Sequence, residues 1–96
     1  MKDVQFGVFP DLKCEAAVKA VCMSKTGSLL ACGTGDYNEN GQVQIWDFES
    51  GNCLHVLKKH SHYVSGLCFN CDGKLLISCS RDKTIKIWST ESGLLT

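Results

Sequence analysis

Apolar residues in this chain come in short runs broken by polar turns, and none recurs at the spacing of a long amphipathic helix. Val18 to Met23 and Val64 to Phe69 are rich in residues that favour extended backbone. Lys25-Thr26-Gly27 closes the first run and Cys71-Asp72-Gly73 the second, both compositions that turn a chain. A short apolar run then follows in each place, Leu29-Leu30-Ala31-Cys32 and Leu75-Leu76-Ile77. After a polar turn come two alternating strands, Gln42-Val43-Gln44-Ile45-Trp46 and Thr84-Ile85-Lys86-Ile87-Trp88. Cys53-Leu54-His55-Val56-Leu57 reads as one more strand between them. The pattern predicts an all-β protein.

It also predicts a repeat. Cys22 falls on Cys68 and Gly27 on Gly73, 46 residues apart. Past four extra residues in the first unit, Trp46 falls on Trp88, 42 residues apart, and Glu49-Ser50-Gly51 matches Glu91-Ser92-Gly93. Four strands in a period of that length form one blade of a β-propeller.

The second unit resembles the WD-repeat family. Lys59-His60 stands where the family has Gly-His, followed by Val64, Phe69, Asp72-Gly73, Ser78, Asp82 and Ile85-Lys86-Ile87-Trp88. The first unit matches at Gly27, Asp36 and Ile45-Trp46-Asp47. Lys59 replaces a glycine, Ser89 replaces the Asp of the second Trp-Asp pair, and Cys14 and Cys32 stand at the histidine and serine positions of the first unit. The resemblance implies a partial WD-repeat β-propeller of two four-stranded antiparallel blades. Residues 13–58 would form the first repeat, with a lengthened hairpin at 36–41, and 59–96 the second, with a truncated outer strand. Residues 1–12 would hold a strand, Val4 to Phe9, of the kind that closes such a ring.

A blade is apolar on both faces because neighbours cover it, so two blades leave two faces uncovered. The expectation is a fragment or short isoform of a larger propeller, completed by further blades or by self-association, and marginally stable alone.

Composition narrows the function. Ten Lys and Arg balance ten Asp and Glu. No basic excess is present to displace counterions from nucleic acid or to attract anionic lipid. No apolar stretch approaches the roughly 20 residues of a membrane helix, and no signal-peptide core follows Met1. The seven cysteines are an odd number in a chain without a secretory signal, which favours free thiols in a reducing compartment. The expected location is cytoplasmic or nuclear.

His60, Ser78 and Asp82 invite a Ser-His-Asp reading. Ser78, however, sits mid-strand in an apolar run, without the turn that exposes a nucleophile. The resemblance implies instead a buried hydrogen-bonded tetrad of Trp88, Ser78, His60 and Asp82, with Ser80 as the alternative hydroxyl. A buried indole N–H is donor-only and needs an acceptor. The expectation is therefore no enzyme.

Three other signals are weaker. Cys68-Phe69-Asn70-Cys71 is a lone C-x-x-C, where zinc needs four converging ligands, so no metal is assigned. Asp36-Tyr37-Asn38-Glu39-Asn40-Gly41 matches the opening of a calcium loop. Its twelfth position, Asp47, would lie some 16 Å off along a strand rising about 3.3 Å per residue. Gly33-Thr34-Gly35 lacks the following helix of a phosphate loop. No cofactor is expected.

What remains is a platform that binds other proteins or peptides through loops at one end of the blades. By resemblance, partner-contacting positions are Ser61, Tyr63 and Arg81 in the second repeat and Glu15, Ala17 and Gly35 in the first. Tyr and Arg are residue types that dominate binding hot spots. The expected role is a non-catalytic scaffold or adaptor. The alternative is the substrate-recognition subunit of a ubiquitin ligase, although Trp46-Asp47-Phe48-Glu49 and Trp88-Ser89-Thr90-Glu91 lack the arginine some such propellers carry.

Overall fold

The computed structural model describes residues 17–35 and 40–95. Seven strands follow one another: β1 (Val18–Met23), β2 (Leu29–Thr34), β3 (Gly41–Asp47), β4 (Cys53–His60), β5 (Val64–Phe69), β6 (Leu75–Ser80) and β7 (Ile85–Ser89). They form two antiparallel sheets in sequential order, β1-β2-β3-β4 and β5-β6-β7. The expected all-β architecture is present. The second sheet has three strands among the described residues, and beyond β7 only Leu95 bridges back, to Trp88.

The turns explain why the strands begin where they do. The N–H of Ser24 donates to the carbonyl of Leu29, and the Ser24 hydroxyl accepts from the Leu29 N–H at 3.0 Å. One repeat later Asn70 does the same for Leu75, its side-chain oxygen accepting at 2.9 Å. Gly27 and Gly73 supply the positive φ, 80° and 73°, that closes each turn. At the opposite edge Asp47 and Ser89 are also equivalent. Each accepts a backbone bond four residues on, from Gly51 and Gly93, and each braces the turn with its side chain. Ser89 thus holds the turn that the family's aspartate would hold.

Pairing register decides which residues meet. Ala31 lies opposite Ile45, and Gly33 opposite Val43. These rows face the second sheet, where Ala31, Val43, Ile45 and Leu57 pack with Val64, Leu76 and Trp88 into one core. Gly33 permits this approach, since a Cβ there would stand 2.8 Å from Cβ of Val64. The reverse faces carry apolar side chains that are exposed among the described residues. On the first sheet these are Val21 (65% exposed) and Val56, in the row of Cys32 and Gln44. On the second they are Ile85 (72%) and Ile87 (39%), beside Cys79 and Ile77. No helix among the described residues is long and apolar enough to cross a membrane.

Candidate functional site

His60 ends β4, Ser78 lies in β6, Asp82 sits in the turn after β6, and Trp88 is in β7. The structure brings all four together. The indole N–H of Trp88 donates to Ser78 Oγ at 2.8 Å, and Ser78 Oγ lies 2.7 Å from His60 Nε2. His60 Nδ1 lies 3.0 Å from a carboxylate oxygen of Asp82. Direction follows from the ends of this chain. An indole can only donate and a carboxylate only accept, so a neutral His60 receives the Ser78 proton at Nε2 and donates from Nδ1 to Asp82. His60, Ser78 and Trp88 are buried to 2% exposure or less, and no buried side-chain polar atom among the described residues lacks a partner.

Asp82 anchors the end. Burial alone would raise its pKa. The hydrogen bonds from the Thr84 hydroxyl, His60 and the backbone N–H groups of Ser61 and Thr84 outweigh that, and hold the carboxyl well below the usual carboxylate range. The set has the connectivity of a catalytic triad without its access. Ser78 is fully buried, and its oxygen already serves the indole. Ser80, the other hydroxyl considered, donates instead to the carbonyls of His62 and Tyr63, at 3.0 and 2.9 Å.

His60 is the last residue of β4, in the first sheet, whereas Ser78 and Trp88 belong to the second. One of the four members therefore reaches across from the neighbouring sheet.

The predicted partner-contact residues that are described collect at one end of both sheets. Ser61 and Arg81 are exposed and Tyr63 is half-buried. The Tyr63 carbonyl accepts from the Arg81 N–H at 3.1 Å, which ties that turn to the start of β5. Gly35 (φ 123°) packs so closely that a Cβ there would lie 2.7 Å from the Tyr63 Cα. The Gly35 N–H donates to the carbonyl of Ala17. Glu15 lies outside the described residues, as do Cys14, the segment Val4 to Phe9, and 36–39 of the lengthened hairpin.

Sequence reasoning missed Lys19. Its ammonium stands 5.7 Å from the centroid of the Tyr63 ring, across the gap between sheets. Pairing slips between Val18 and Ala20, so Lys19 is a bulge residue whose side chain is re-aimed; Ser65 occupies the same kind of bulge in β5. No spacing along the chain signals that meeting, because it depends on how two sheets dock.

The other candidates are not drawn together. Asp47 lies at the far end of β3 from Gly41, accepting from the Ser50 hydroxyl. Cys68 and Cys71 are exposed, and no group of three or more His, Cys, Asp or Glu among the described residues could hold a metal ion. Burial, with help from nearby Cys68, pushes the Cys22 thiol up to about 11, so it stays protonated at neutral pH.

With this geometry in hand, comparison with known proteins is informative. A family model described as "WD domain, G-beta repeat" matches residues 10–47 and 51–89. The chain is 37% identical over 68 residues to the periodic tryptophan protein 2 homolog of Mus musculus, covering 71% of this chain and 7% of that protein. It is 42% identical over 74 residues to the nuclear distribution protein PAC1-1 of Uncinocarpus reesii, covering 75% of this chain and 16% of that one. Among solved structures it is similar to the β-propeller domain of Cps50 (Swd1) of Myceliophteria thermophila, with a TM-score of 0.79 at 23% identity, over 90% of this chain and 26% of that one. The chain thus spans a small part of the length of each.

Proposed function

From the premise that this chain belongs to the WD-domain, G-beta repeat family, we propose that it is a non-catalytic protein-interaction platform, a scaffold or adaptor module working in the cytoplasm or nucleus. The observation that carries this reading is the division of labour between two groups of polar residues. Trp88, Ser78, His60 and Asp82 spend their hydrogen-bonding capacity on one another inside the core. Ser61, Arg81 and the edge of Tyr63 meet solvent at one end of rigid strands. Two sheets fixed by a common core hold those side chains with little ordering left to lose on binding, which favours recognition over chemistry. The exposed apolar side chains Val21 and Ile85 suit further blades of the same kind, or a second copy of the chain.

The test is affinity capture with the full chain, wild type against Tyr63→Ala/Arg81→Ala, with bound proteins identified by mass spectrometry. Loss of a defined partner set, with unchanged circular dichroism and melting, is expected. An identical partner set would remove these residues from the interface. A serine-reactive fluorophosphonate probe is expected to leave Ser78 unlabelled; labelling there would overturn the non-catalytic reading.

A further inference from the structure

We propose that the end of the molecule carrying Lys19, Tyr63 and Arg81 docks an acidic peptide segment across the junction between the two sheets. This rests on the platform reading above and names the chemistry of the partner.

Among the described residues, charge is segregated along the strands. At the end where β4 and β6 finish and β5 and β7 begin, the described residues include Lys19, Lys58, Lys59, Arg81 and Lys83, all exposed. The described carboxylate at that end is Asp82, and it is fully engaged with His60, Thr84 and Ser61. Asp47, Glu49, Asp72 and Glu91 lie in the turns at the opposite end, with Lys25 and Lys74. Glu15, Asp36 and Glu39 lie outside the described residues.

One cation stands over the ring of Tyr63, and a second, Arg81, lies in the adjoining turn. Lys19 reaches over the ring from the first sheet, 5.7 Å from the centroid, and Arg81 is fastened to the Tyr63 carbonyl by its own backbone. Neither makes an ion pair among the described residues. Asp82, the neighbour of Arg81, spends its oxygens on His60, Thr84 and Ser61.

An Arg fork takes a carboxylate in two parallel bonds, a Lys supplies a point charge, and an aromatic ring holds the ammonium in place while offering an apolar edge. Carboxylates spaced along an extended peptide fit that arrangement. A nucleic-acid strand fits it less well, because tight backbone binding needs a longer track of cations than this end supplies.

The experiment is fluorescence anisotropy of the full chain with three labelled probes: a glutamate-rich peptide, a glycine-serine peptide and a single-stranded oligonucleotide. The glutamate-rich peptide is expected to bind, with affinity falling steeply as NaCl is raised. Lys19→Glu and Arg81→Glu are each expected to weaken it about tenfold or more, a loss shown as slower association and a shallower salt dependence. Lys74→Glu, at the opposite end, is expected to leave it unchanged, and melting curves verify that all three variants fold. Equal binding of the glycine-serine peptide, tighter binding of the oligonucleotide, or indifference to Lys19→Glu would each overturn the proposal. If the glutamate-rich peptide fails while partner capture still depends on Tyr63 and Arg81, the acidic assignment falls and the platform reading stands. If capture is also insensitive, both fall.

Discussion

Replacing Ser78 by alanine isolates the one atom that both Trp88 and His60 use. The change removes a bond accepted from the indole at 2.8 Å and one shared with the imidazole at 2.7 Å, in a site with no solvent access. Each bond contributes about 1 kcal/mol net, and each buried partner left unpaired costs roughly 1–3 kcal/mol. Water cannot enter to repair either, so the expected loss is roughly 2–6 kcal/mol. In a domain of this length, total stability is about 5–15 kcal/mol, so that loss is a large share. The assay is urea unfolding followed by circular dichroism, with the loss read from the shift in midpoint at constant slope. Trp88→Phe on its own removes the donor and some packing. Combined with Ser78→Ala it leaves no orphaned indole, so the double variant is expected to lose about 1 kcal/mol less than the sum of the singles. A loss below about 0.5 kcal/mol for Ser78→Ala, or strict additivity in the pair, would refute the shared-oxygen argument.

The other predictions concern charge, packing and backbone. The Asp82 carboxyl titrates lower in the folded chain than in the unfolded one, where the usual value is about 3.9. Its stabilisation is therefore complete above about pH 4 and is lost as pH falls toward the folded value. Melting temperatures across an acid series should drop below that point in the wild type and decline less steeply in Asp82→Asn; parallel curves would contradict this. Gly33→Ala would drive a methyl group into Val64 and is expected to destabilise by about 1–3 kcal/mol, measured by urea midpoint. Lys83 holds a φ of 73°, so Lys83→Gly should raise stability by about 0.5 kcal/mol, and a fall would show that its side chain supports the turn.

Local features were legible because they depend on neighbours in sequence. β1 and β5 span the runs read from β-branched and aromatic residues, and both hairpin turns follow from Gly27 and Gly73. The geometry around Ser78 was approachable from pattern, since alternation along β6 puts Ser78 on the face of Leu76 and Trp88 while the turn after β6 puts Asp82 at its end. β4 runs three residues beyond the run read as ending at Leu57, because Lys58 and Lys59 are tolerated on an exposed edge where hydrophobicity gives no signal. Lys19 was illegible for a different reason. Its contact with Tyr63 depends on a bulge and on the docking of two sheets, and a one-residue slip in pairing reverses which side a residue faces.

The histidine at the tip of β4 has a consequence for anyone dividing or recombining such modules. A cut made after His60, along the border between sheets, would deliver a β5-β6-β7 piece whose indole and serine meet a hole where an imidazole belongs. A cut before Lys59 would carry the imidazole over but strip it from the edge strand that aims it. Neither seam yields a self-sufficient part. Grafts that exchange one unit for another should therefore take all of β4 with the incoming piece and make the join in the turn ahead of it, around Gly51.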